Sequence, residues 1–81
     1  MQTKDLAALI VYHRKASGLS QSELADHAGV SRYVVQDLEA GKGRTTWGKL
    51  QAVLAVLNVR FEPEGPLVES WRKTLSGGHD E

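Results

Sequence analysis

Apolar residues recur at helical spacing through most of the chain, and glycines punctuate them. Leu6, Leu9 and Ile10, with His13 one turn on, stand at i, i+3, i+4 and i+7, the spacing of one buried stripe. Thr3 and Asp5 suit the start of this helix and Gly18 ends it. The stretch Gln21 to Leu38, QSELADHAGVSRYVVQDL, predicts two short helices joined by a tight Ala28-Gly29-Val30 turn. The second of them runs to about Ala40, before Gly41, with Val35 and Leu38 on one face and Tyr33, Gln36 and Asp37 on the other. After the loop Gly41-Lys42-Gly43-Arg44, Thr45 or Thr46 can cap a fourth helix whose stripe is Trp47, Leu50, Leu54 and Leu57 and whose stop is Asn58.

The pattern then changes. Val59-Arg60-Phe61-Glu62 alternates apolar and polar, the period of a short half-buried strand. A lone strand cannot satisfy its own backbone groups, and nothing else in the chain has the pattern of its mate. Pairing with the same strand of a second copy is the simplest solution. Beyond Pro66, Leu67, Trp71 and Leu75 are spaced by four, which allows a short amphipathic helix, too short to be stable alone, and leaves the tail after Glu64 open between helical, disordered and docked. Three environments suit Trp71 equally: packing on its own dimer, docking on a partner protein, or a disordered tail.

Two serines open the central pair of helices. Ser20 and Glu23 form a capping box, and Ser31 caps the following helix without a glutamate to answer it. Leu19 with Leu24, and Val30 with Val35, have the spacing of hydrophobic staples. Gly29 supplies the left-handed backbone that a sharp turn requires. Two capped helices about such a glycine are a helix-turn-helix signature.

Composition narrows the function further. At 81 residues the chain has room for one domain with a small core, which dimerisation would support. It has no cysteine, so neither disulfides nor zinc-cysteine sites are available, and a reducing compartment fits. Neither a membrane-spanning apolar run nor a signal-peptide pattern is present, which predicts a cytoplasmic protein. The zero net charge hides a division: residues 1–60 carry eight Lys and Arg against five Asp and Glu, whereas residues 61–81 carry two against five. The front is basic and the tail, ending in Asp80 and Glu81, is acidic.

A helix held rigidly by another can enter the major groove, where each base pair displays its own donor and acceptor pattern. On that reading Arg32 can pair bidentately with guanine, Gln36 with adenine, and Tyr33 can meet a thymine methyl or a phosphate. Asp37 can accept from a cytosine amino group or face away from the bases. Gln21, Ser31, Lys42, Arg44, Thr46 and Lys49 stand at helix starts or in the basic loop, where phosphates are held. Catalysis is not expected. Asp26 and His27 are adjacent on a helix and point about 100° apart, His13 and Glu23 have no converging partner, and no nucleophile, cofactor or metal-ligand spacing occurs.

Gly18-Leu19-Ser20-Gln21, Glu23-Leu24-Ala25, Ala28-Gly29-Val30-Ser31 and Leu38-Glu39-Ala40-Gly41-Lys42 resemble the lambdoid phage repressor and Xre-type helix-turn-helix family over about residues 4–58. The resemblance implies a mostly α, four-helix, lambda-repressor-like domain. It makes Gln21 a phosphate contact, places Arg32, Tyr33, Gln36 and Asp37 at base-reading positions, and pairs Arg14 with Glu39. Arg44-Thr45-Thr46-Trp47 and Leu54-Ala55-Val56-Leu57-Asn58-Val59-Arg60-Phe61 look like the HipB-type antitoxin branch, although Asn58 stands where that branch often has glycine. That implies a homodimer joined by an intersubunit sheet of Val59, Arg60, Phe61 and Glu62, repression of its own operon, and a HipA-type Ser/Thr kinase toxin as partner. Residues 1–63 would bind DNA and dimerise, and 64–81 would be a flexible or partner-binding tail using Leu67, Trp71 and Leu75. A free-standing repressor with no toxin is the alternative.

Overall fold

The computed structural model describes residues 1–78, and side-chain surroundings as far as Leu75; Asp80 and Glu81 of the acidic tail lie outside the described residues. Five helices follow in order: α1 (Thr3–Ala16), α2 (Gln21–Ala28), α3 (Arg32–Glu39), α4 (Trp47–Val56) and α5 (Val68–Gly78). None of the described helices is long and apolar enough to cross a membrane.

The first four helices share one core. Ile10, Leu24, Val35 and Val53, one from each, are completely buried. Each burial stabilises by about 1.5–3 kcal/mol. Ala25, Leu38, Leu50, Leu54 and Leu57 complete the cluster, and Leu6, Leu9, Leu19 and Val30 are among those that pack on its edge. α2 packs on both α3 and α4, and α1 on α3, so α3 is held from behind by two helices. Trp47 is a correction to the expected α4 stripe. At the first position of α4 it lies beyond the core's edge, 55% exposed, with its ring 6.4 Å from that of Phe61.

All four core helices end in the same way. Each closes on a residue of positive φ at or just past its C-cap: Gly29 (71°) is the C-cap of α2, and Gly18 (73°), Gly41 (69°) and Asn58 (61°) stand one past the caps of α1, α3 and α4. The following N–H reaches back to the carbonyl five residues earlier, as in Val30 to Ala25 at 3.0 Å and Val59 to Leu54 at 2.9 Å. These are Schellman closures, which satisfy carbonyls that the helix cannot. Asn58 is the one non-glycine among the described residues with positive φ.

That closure alters the expected strand. The Val59 N–H is already donated to α4, so Val59 belongs to the helix cap. Arg60, Phe61 and Glu62 follow without a ladder, and no strand occurs among the described residues, because a single chain offers these groups no second edge. The tail, which the spacing leaves open between helical, disordered and docked, forms α5. None of Leu67, Val68, Trp71 or Leu75 belongs to the core cluster.

Candidate nucleic-acid interface

α2, the Gly29 turn and α3 stand as the sequence leads one to expect. The Ser20 hydroxyl accepts from the Glu23 N–H at 3.0 Å, and the Glu23 carboxylate accepts from the Ser20 N–H at 2.8 Å. The Ser20 backbone N–H, and after it the Ser20 hydroxyl, favour the ionised carboxylate and hold Glu23 below its ordinary pKa. Ser31 departs from expectation. It occupies the N-cap position of α3, yet its hydroxyl makes no capping bond and lies exposed. Without a glutamate three residues on there is no reciprocal bond to lock it, and the hydroxyl remains free for an outside acceptor.

Along α3, Val35 and Leu38 face the core while Arg32, Tyr33, Gln36 and Asp37 span an outward arc of about 140°. Tyr33 is 68% exposed, and the Arg32 guanidinium lies over its ring, 5.8 Å from the centroid. That cation–π contact orients two exposed side chains at the leading end of the helix. Gln36 is half-buried one turn further along. Asp37 is engaged: the Arg44 guanidinium donates to its carboxylate at 3.2 Å. A base contact and a phosphate contact expected separately thus meet in one ion pair. No spacing rule links them, because the intervening loop sets their approach.

A second junction lies at the start of α2. Arg14 donates to Glu39 from Nε at 2.6 Å and from Nη2 at 3.1 Å, and from Nη1 to the Leu19 carbonyl at 2.9 Å. The ion pair expected between them is therefore bidentate, with side chains only 14% and 8% exposed. Its hydrogen bond to Glu39 raises the Arg14 pKa above the usual value. Gln21 joins the same carboxylate, donating Nε2–H to Oε1 at 2.9 Å. One of its amide hydrogens is thereby used, and one remains free to donate. Sequence reasoning treated Gln21 and the Arg14–Glu39 pair as separate; the structure makes Glu39 the joint of α1, α2 and α3.

Lys42 and Lys49 are exposed, the latter in the first turn of α4. The Thr46 hydroxyl caps that helix by accepting from the Lys49 N–H at 3.4 Å, and it keeps a proton to donate. His13 is turned onto its own helix, its Nδ1–H donating to the Leu9 carbonyl at 2.7 Å. No group of three or more His, Asp or Glu side chains that could hold a metal ion occurs among the described residues.

The helix-turn-helix family profile matches residues 10–63, which takes in α2 to α4 and stops short of α5. An "Uncharacterized HTH-type transcriptional regulator y4mF" of Sinorhizobium fredii (strain NBRC 101917 / NGR234) is 40% identical over 62 residues, covering 76% of this chain and 82% of that protein. With two capped helices about a left-handed glycine, an apolar inner face on α3 and that extent of similarity, the chain belongs to the Xre-type helix-turn-helix family.

Proposed function

We propose that the protein is a homodimeric transcriptional repressor that reads a palindromic operator with α3. The observation that carries this is the division of α3 into a buried face and an outward arc of Arg32, Tyr33 and Gln36, on a helix braced by α1 and α2. Arg32 and Gln36 read base edges, Tyr33 meets a thymine methyl or a phosphate, and Asp37 acts through Arg44. Gln21, Ser31, Lys42, Arg44, Thr46 and Lys49 hold phosphates on either side and set the register. Arg60, Phe61 and Glu62 pair with their copies in the partner, which places the two α3 helices on half-sites roughly 34–36 Å apart or a multiple of that.

Binding of purified protein to operator and to random duplexes at several salt concentrations tests this. Arg32→Ala should weaken operator binding by about 1–3 kcal/mol and relax preference at one base pair. Lys42→Ala should weaken both duplexes alike and flatten the salt dependence. Equal losses on both duplexes from Arg32→Ala would move that residue to the phosphate set.

Residues 44–61, through their resemblance to the HipB-type branch, support an antitoxin role, with repression of its own operon and a HipA-type Ser/Thr kinase toxin as partner. Co-purification with the product of the adjacent gene tests it: a kinase-like companion supports the antitoxin, and a solitary gene without one supports a free-standing repressor.

A further inference from the structure

Two apolar surfaces of this chain lie apart and uncovered. The first is a groove of about 610 Å3 between α4 and the segment after it, whose apolar lining of Trp47, Ala52, Val59 and Phe61 is bordered by the polar Gln51, Arg60 and Glu62. Gly48, Ala52 and Ala55 stand at i, i+4 and i+7, on the side of α4 opposite Leu50, Val53 and Leu57. α4 is therefore apolar on two faces, and the core covers one. The second surface is the stripe of Leu67, Val68, Trp71 and Leu75 on α5 and its approach, with Trp71 51% and Leu75 49% exposed. No α5 residue lines the groove on α4.

Arg72 holds them apart. It donates to the Glu62 carboxylate at 3.5 Å, to the Pro63 carbonyl at 3.2 Å and to the Glu69 carboxylate at 3.0 Å, which ties α5 to the segment leading into it. Arg72 sits about 100° around the helix from Trp71. The tie therefore leaves the stripe facing outward.

We propose that the groove on α4 is a docking site for α5 of a second copy of this chain, and that two copies exchange these helices reciprocally. The inference rests on the dimer proposed above and adds its second layer. Three observations favour a second copy as the occupant. In a symmetric antiparallel pairing of Arg60 to Glu62 centred on Phe61, Glu62 of one protomer lies opposite Arg60 of the other, close to the end of its α4. The five residues from Pro63 to Leu67 span at most about 17 Å, enough to deliver α5 to that partner's groove. Finally, Trp47, Phe61, Leu67, Trp71 and Leu75 together leave on the order of 500 Å2 of apolar surface in water, close to the apolar share of the roughly 800 Å2 per protomer that a stable dimer buries.

The chain contains no cysteine, so introduced thiols report without interference. Two full-length preparations with different affinity tags, one Ala55→Cys and the other Leu75→Cys, are mixed, treated with a short bismaleimide and analysed for species carrying both tags. Dimerisation of the unmodified chain and of Trp71→Ala is measured by sedimentation. The expected result is a doubly tagged cross-linked species, together with a dimer dissociation constant raised about 10- to 100-fold by Trp71→Ala. A dimer that gives no such cross-link, or joins only through Leu75→Cys to itself, overturns the exchange and leaves the paired-segment dimer standing. An unchanged dissociation constant in Trp71→Ala overturns the exchange as well. A chain monomeric at all concentrations overturns both.

Discussion

At the residue scale, Glu39 matters beyond its ion pair. Its carboxylate accepts two bonds from Arg14 and one from Gln21, and so joins α1, α2 and α3 where the apolar core does not reach. Glu39→Gln should cost about 3–5 kcal/mol in denaturant unfolding, because Arg14 is left mostly buried without its counter-charge. A loss under half a kilocalorie would mean that water replaces the carboxylate freely. Glu23 acts through pH. Its carboxyl titrates lower in the folded protein than its usual value of 4.5, so its contribution is complete above that pH and is lost as pH falls through the folded value. Glu23→Gln should therefore flatten part of the loss of stability on acidification below about pH 4.5. Acid unfolding curves of identical slope would show that other carboxylates dominate.

At the element scale, the helix ends decide where each helix points. Four Schellman closures use a left-handed residue, and three of these are glycine. Asn58 does the same work with a Cβ in place. Asn58→Gly should stabilise the chain by about 0.5–1 kcal/mol, read as a small rise in Tm, since the left-handed conformation is then free of strain. A fall in Tm would indicate that the Asn58 side chain contributes something else. The starts of the helices were legible in Ser20, Glu23 and Thr46, because capping is local chemistry. Ser31 shows the limit of that logic: it holds the cap position without the bond. Trp47 shows another, since helical spacing alone cannot tell whether the first turn overhangs the core.

At the scale of the whole molecule, the domain that the family profile matches and the helix beyond it are built differently. α1 to α4 close on a core that needs nothing after Val59, whereas α5 puts its apolar stripe into water. Arg60→Pro should weaken the proposed dimer by removing a backbone donor from the segment proposed to be shared, while leaving the core intact. Sedimentation and circular dichroism check this together: a variant that stays fully dimeric and helical would place the interface elsewhere. The division of charge also takes a structural form here. Arg32, Lys42, Arg44 and Lys49 stand on α3, in the loop after it and in the first turn of α4, and Glu62 and Glu69 of the more acidic tail are paired with Arg72.

By itself the sequence determined the first four helices, the caps at Ser20 and Thr46, the Gly29 turn and the inner face of α3, because each depends on residues a few positions apart. The Arg14–Glu39 pair was legible only through family resemblance, since its members lie 25 residues apart. Only the tertiary structure decided that Gln21 shares that carboxylate, that Arg44 takes up Asp37, that Trp47 lies outside the core, and that α4 keeps a second apolar face uncovered. The physical reason is range. Hydrogen bonds and steric limits within a helical turn act on neighbours in sequence, whereas side chains distant along the chain meet only after the core has set the angles between the helices that carry them.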